Sequence, residues 1–409
     1  MKGSLRRLWV FLVLCIAVLS LSYPASALSP AQEYLLEGSY AVEQDGWTLV
    51  HLEGVPYRIG FQRGYLTAES ASYLIISYLG PADDEYHRMS REIAGKYLWD
   101  RIPKEYQDEL LGIAAGLRAK GYDWDVWDVL AANAWADQGL YEDAWEEDAE
   151  SRCSAFIATG DATADGQIVM GHNTWCPYNE DFMYPIIYDV KPSKGFAFRY
   201  QGAGGTIWSG QDWYVNETGL MVTETSLEND ATDPEGIPVI VRIRTAVQYA
   251  DSIDDFLGIM LEGNNGAYPN QWLIGDAKTG EIASLQLGLH SWDLERTFNG
   301  FLYSSNHPSG VNFREEAACE EPDPMNYCYA RYVRWGQLKE EWYGKVDAEI
   351  GKIMLADHYD TYLGIEKPSA RTICGHKEIE TADPSERKPS GAYDGKVTTS
   401  SMVLAGMSM

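Results

Sequence analysis

Cys153 is the residue around which a reaction could be built. It opens the run C-S-A-F-I-A-T-G (153–160), whose apolar and β-branched composition predicts a strand. The connection D-A-T-A-D-G carries Asp165-Gly166, a hairpin-turn dipeptide, and the next run, Q-I-V-M-G-H-N-T-W (167–175), predicts the returning strand. With the turn centred near Ala162–Thr163, Cys153 falls opposite His172 or Asn173. Directly paired antiparallel residues place their Cβ atoms about 4.5–5.5 Å apart. A one-residue slip exchanges His172 for Asn173 on the thiol's face.

A thiol in this position suits one chemistry well. The acidic stretch E-D-A-W-E-E-D-A-E-S-R (142–152) has the composition of an exposed connection and ends directly before Cys153. Attack of the thiol on the Arg152 carbonyl would give a thioester, and water would release the preceding chain. The freed α-amino group of Cys153, with a reference pKa of about 7.7–8, could then serve as general base to its own thiol. An amide donor such as Asn must stabilise the tetrahedral oxyanion. Composition and spacing alone fit a buried or disulfide-paired Cys153 equally well. His172 alone reads as a strand histidine, and Trp175 alone as core. No papain-type C-G-[SA]-C-[WY] surrounds Cys153. The histidines form no H-E-x-x-H, and His358 with Asp360 is isolated, so neither a metal nor any other cofactor is expected.

The elements that must hold these residues follow from periodicity. W-T-L-V-H-L-E-G reads as a strand, and G-V-P-Y-R-I-G-F-Q-R-G-Y-L leads into a helix. Residues 102–141 have helical spacing. Further strands are expected at F-A-F-R-Y-Q-G, G-T-I-W-S-G, W-Y-V-N-E-T-G-L-M-V-T-E-T-S-L and a hairpin turning at Thr279-Gly280. Helices are expected at V-I-V-R-I-R-T-A-V-Q-Y-A-D-S-I-D-D-F-L-G-I-M-L and Y-A-R-Y-V-R-W-G-Q-L-K-E-E-W-Y-G. Strands in blocks with helices between them indicate an α+β class with layered antiparallel sheets.

Lys2, Arg6 and Arg7 precede the apolar run Leu8 to Ser22, and Ala25-Ser26-Ala27 offers a cleavage site, so an exported chain starting at Leu28 is expected. Loss of that segment would move the net charge from −29 to −32. Such acidity argues against nucleic acid or an anionic membrane as partner. Five cysteines would remain. Cys319 and Cys328 flank a Pro/Asn-containing loop and could pair locally, Cys176 with Cys374 follows by elimination, and Cys153 is left over.

C-S-A-F-I from Cys153, G-H-N-T-W (171–175), G-T-I-W-S (205–209), D-W-Y (212–214) and G-L-M-V-T-E-T-S (219–226) together resemble the phospholipase B-like proteins. These are N-terminal-nucleophile (Ntn) hydrolases related to the acyl-CoA:6-aminopenicillanate acyltransferase group. H-L-E-G-V-P-Y-R-I-G-F-Q-R-G (51–64), I-A-A-G-L (113–117) and Y-S-S-N-H-P (303–308) fit the acyltransferase side. The resemblance implies a four-layer αββα sandwich and self-cleavage between Arg152 and Cys153 into chains 28–152 and 153–409 that stay associated as one domain. It makes Cys153 nucleophile and base, His172 and Trp175 pocket residues, and Asn306 the oxyanion donor. It places Thr225, with Ser226 as the alternative, beside the nucleophile, and Arg331, with Arg334 as the alternative, in the pocket. Relatives of the bile-salt-hydrolase type carry R-N-x-D where this chain has His172-Asn173-Thr174-Trp175, which disfavours carboxylate assistance. The function expected is hydrolysis of linear amides or acyl esters of small or lipid-like substrates. An acyltransferase passing the acyl group to an amine, and a non-catalytic secreted binding protein on the same scaffold, are the alternatives.

Overall fold

The computed structural model describes residues 27–141, 153–178, 183–229, 231–317, 322–379 and 390–406. The expected leader (1–26), Arg152 and Cys319 lie outside these. Among the described residues, nine strands form one sheet in the order β1 (Tyr40–Gln44), β2 (Trp47–Gly54), β5 (Ile186–Pro192), β6 (Phe198–Gly202), β7 (Trp213–Asn216), β8 (Leu220–Ser226), β9 (Asn270–Asp276), β10 (Glu281–Leu287) and β11 (Trp292–Thr297). A second sheet runs β12 (Gly300–Ser304), β3 (Ser154–Gly160), β4 (Gly166–Pro177) and β15 (Ser390–Thr399), and β13 (Tyr359–Asp360) pairs with β14 (Ile365–Glu366). The expected antiparallel pairing holds between all the named strands except β2 with β5, which are parallel.

Alternation along β3 explains the layers. Ala155 and Ile157 point into a core shared with Met170, Met221, Leu273 and Ile282, between the two sheets. Phe156 and Ala158 point the other way, into a core with Trp335, Leu338, Met354 and Leu355 of the helices Tyr327–Trp342 and Ala348–Leu355. The far face of the large sheet is covered by helices that include Pro56–Leu66, Lys104–Lys120 and Val239–Tyr249. The result is the four-layer αββα sandwich of the α+β class, with a strand period of two supplying two buried faces from one apolar run.

Local chemistry accounts for the differences from expectation. The single long helix foreseen after residue 238 is two, because Ala250 leaves helical geometry and Ser252 caps a new start at Ile253 by accepting from the Asp255 amide. G-T-I-W-S-G forms turns instead of a strand, its loop held by Arg63 Nη1 donating to the Thr206 carbonyl (2.7 Å). The helices Pro56–Leu66 and Lys104–Lys120 cross closely enough that a Cβ on Gly60 would lie 1.9 Å from the Glu109 carbonyl oxygen, so glycine is required there. That crossing encloses Glu109, paired with Arg63 and Arg244 at 2.9 Å each, all three buried.

Removing one member of such a cluster leaves uncompensated charge in the interior, at a cost of about 3–5 kcal/mol. Glu109→Gln is therefore expected to lower the urea-unfolding free energy by about that amount. A loss below about 1 kcal/mol, the range of exposed pairs, would refute the buried-cluster account.

Candidate active site

Cys153 sits immediately before β3, 4% exposed. Its backbone nitrogen donates to Asn306 Oδ1 at 2.9 Å, and its carbonyl accepts from Arg331 Nη1. Arg331 Nη2 donates to the same Asn306 oxygen at 2.9 Å, Nη1 also reaches Ser154 Oγ at 3.0 Å, and Nε donates to the Tyr327 carbonyl at 3.2 Å. The guanidinium is fully buried and lies 4.7 Å from the ring of Trp175. Arg334, one turn along the same helix, binds Asp357 instead. Geometry thus brings Arg331 to Cys153 and takes Arg334 away.

The hairpin register differs from expectation by a residue or two. Ser154 pairs with Asn173 and Ala155 with His172, so continuation places Cys153 opposite Thr174; an irregularity between Ala158 and Gly160 accounts for the offset. Parity still puts His172 on the thiol's face, between the sheets, while Trp175 faces the helices with Arg331. His172 and Trp175 therefore lie on opposite faces of one strand, so the single pocket expected to hold both is not formed by direct neighbours. Burial, with Lys396 nearby, pushes His172 well below its ordinary pKa and keeps it neutral; its Nε2 lies 3.8 Å from Asp212 Oδ2.

Asp212 is the residue that sequence reasoning missed. Its Oδ2 is 3.8 Å from Cys153 Sγ, so the carboxylate absent from G-H-N-T-W arrives from the loop before β7. The expectation that carboxylate assistance is disfavoured rested on the absence of an acid from that motif, and this structure places one beside the sulfur from elsewhere. Desolvation raises its pKa to about 6, against a hydrogen bond with Glu224 that lowers it. Glu224, on β8, is itself raised well above its ordinary value by burial and by the neighbouring Asp212. Burial and the two carboxylates also raise the Cys153 thiol. The available signal was in the quoted motifs: an acid inside D-W-Y, and one in the middle of the apolar strand L-M-V-T-E-T-S. Asp212 and Asn306 both carry positive φ, 57° and 63°, the strain that functional residues tolerate when neighbours hold them.

Asn306 is oriented by its partners. Oδ1 faces two donors, while Nδ2 donates to the Ser226 carbonyl (2.8 Å) and Ser226 Oγ (3.2 Å). Thr225 Oγ1 pairs with Ser304 Oγ and accepts from the Asn306 amide at 3.4 Å. Thr225 and Ser226 thus both secure Asn306. Cys374 is a free thiol, so the pairing with Cys176 expected by elimination is not formed. Ligand atoms of Cys153, His172 and Asp212 lie within 4.8 Å of one another, a spacing that a metal ion could bridge; His358, Cys374 and His376 form a second such cluster.

The Phospholipase B family model matches residues 123–289, spanning Cys153, His172, Asp212 and Glu224. Over this stretch the chain is similar to the phospholipase B-like proteins. It is 29% identical to phospholipase B-like protein C of Dictyostelium discoideum over 32% of this chain and 25% of that protein. An uncharacterised protein of Archaeoglobus fulgidus is 28% identical over 76% of this chain and 58% of its own length. The matches thus span little more than half of the archaeal relative and about a quarter of the other. A crystal structure of a mutant conjugated bile acid hydrolase from Clostridium perfringens aligns with a TM-score of 0.32 and 12% identity, over 60% of this chain and 85% of that one.

The raised pKa of Asp212 has a stability consequence. A carboxyl whose folded pKa exceeds its unfolded value favours folding at low pH, and that advantage is lost as pH rises towards about 6. In a Cys153→Ala background, Asp212→Asn is expected to raise Tm at pH 7.5, with the gap narrowing as pH falls through about 6 and closed only below the ordinary value of 3.8. An Asn variant less stable at pH 7.5 would contradict the buried-acid assignment.

Proposed function

We propose that this chain is an exported, self-cleaving Ntn hydrolase that uses Cys153 on linear amides or acyl esters of small or lipid-like substrates. The carrying observation is the convergence on Cys153: its nitrogen on Asn306, its carbonyl on Arg331 and its sulfur beside Asp212. A structural cysteine has no need of a positioned backbone nitrogen and an acid tuned near neutrality. The ester alternative, including lipid acyl esters, is supported by the phospholipase B-like relatives.

In the intact chain no α-amine is available, so Asp212 takes the thiol proton. The sulfur attacks the Arg152 carbonyl carbon, and the C–N bond breaks with a proton returned to the Cys153 nitrogen. Water hydrolyses the thioester, giving the Arg152 carboxylate and regenerating the thiol. The new α-amine, held by Asn306 Oδ1, becomes the base for later substrates. Asn306 Nδ2 serves the oxyanion after leaving Ser226, and the two chains stay associated through the shared layers.

Wild-type protein is expected to give a fragment of 257 residues beginning at Cys153, and Cys153→Ala one uncut chain, read by gel and N-terminal sequencing. Cutting that persists in Cys153→Ala would sink the proposal. Glu224, His172, Lys396, Asp394, Tyr268 and Cys153 surround Asp212 electrostatically, and with its pKa at about 6 the processing rate should fall as pH drops through 6. Asp212→Asn should slow processing about 10²–10⁴-fold. Asn306→Asp retains the acceptor but removes the donor; a loss of about 10²–10³ in kcat marks an oxyanion role, and unchanged kcat denies it.

A further inference from the structure

The geometry points to a second site: we infer that His358, Cys374 and His376 bind one divalent transition-metal ion of the zinc type, which staples the turn behind Trp175. His358 Nε2 lies 3.0 Å from His376 Nε2, which lies 3.7 Å from Cys374 Sγ. Zinc bonds of about 2.0–2.1 Å to nitrogen and about 2.3 Å to sulfur in a tetrahedron put neighbouring ligand atoms roughly 3.3–3.6 Å apart. Two of the three ligand pairs stand close to that spacing, and the third, His358 with Cys374, lies within 4.8 Å.

Hydrogen bonding alone serves this cluster poorly. His376 Nδ1 is 2.9 Å from Glu378 Oε1, and the tautomer that donates there turns Nε2, as an acceptor, towards His358 and Cys374. His358 and Cys374 then compete for one acceptor. A cation at the convergence uses all three, and the Glu378–His376 pair is the carboxylate partner that metal-bound histidines characteristically have. The backbone is arranged beforehand: the Cys374 amide donates to the Asp357 carbonyl (3.0 Å), the His376 amide to Ser369 (3.0 Å), and the His358 carbonyl accepts from Lys367 (2.8 Å). All three ligands are half-buried, and Cys374 also lines a cavity of about 250 Å³, which gives an ion a way in and leaves a fourth position for water.

The consequence reaches the nucleophile through packing. A Cβ on Gly375 would lie 1.4 Å from Trp175 Cζ2, so the Cys374–His376 turn rests directly on the ring that backs Arg331. Asn173 ties the same strand to the Ile373 carbonyl at 3.2 Å.

The test uses the full chain with Cys153→Ala, which removes the other thiol cluster and keeps one chain. Zinc titration against a chromophoric chelator should give one equivalent per chain, and cobalt should give a thiolate-to-metal charge-transfer band. Cys374→Ser should abolish the band, and His376→Gln should weaken zinc at least 100-fold. Glu378→Gln should retain the band and lose about 10–100-fold in affinity, a partial loss that stays readable if Cys374→Ser fails to fold. A Cys176–Cys374 disulfide in the protein as purified, binding below one equivalent, or a band surviving Cys374→Ser would overturn the proposal. None of these readouts depends on self-cleavage or activity, so the two proposals fail separately.

Discussion

The buried guanidinium of Arg331 is the constraint on which the site depends. It joins the carbonyl of Cys153 to the side chain of Asn306, and so fixes the head of β3 against the loop after β12. A cation held in the interior is costly unless its donors are met. Here they meet two backbone carbonyls, a serine hydroxyl and an amide oxygen, with an indole face behind. Displacing any of these partners would leave part of the charge unsolvated, so the ring of contacts is rigid as well as stable. The position of the Cys153 nitrogen is a result of that rigidity.

The sandwich provides the two environments this requires. Toward the helices, Arg331 and Trp175 form a polar island within an apolar core. Toward the nine-stranded sheet, Cys153, His172, Asp212 and Glu224 share a desolvated space in which carboxyl protons are held more tightly than in water. One strand separates the two because its side chains alternate. The contacts that hold the Cys153 backbone and the carboxyl pair beside its sulfur thus lie on opposite faces of the same sheet.

Much of the scaffold was legible in the sequence because local rules govern it. The hairpin of β3 and β4, the helix bearing Arg331 and the hairpin at Thr279-Gly280 each follow from spacing and turn chemistry within a few residues. The errors arose where a local pattern was ambiguous. A capping serine split one helical run, and G-T-I-W-S-G folded into turns because its polar groups are met by Arg63 and Asn133 from distant helices.

By itself the sequence singled out Cys153 as a candidate at the head of a strand and left His172 or Asn173 on its face; the observed register decided for His172. The candidate and its strand depend on neighbours along the chain. Only the tertiary structure decided that Asp212 supplies the carboxylate, that Asn306 holds the Cys153 nitrogen while spending its amide on Ser226, and that Arg331 rather than Arg334 turns inward. The reason is range. Asp212 and Asn306 reach Cys153 from 59 and 153 residues away, and no periodicity encodes which distant loops will close over one strand end.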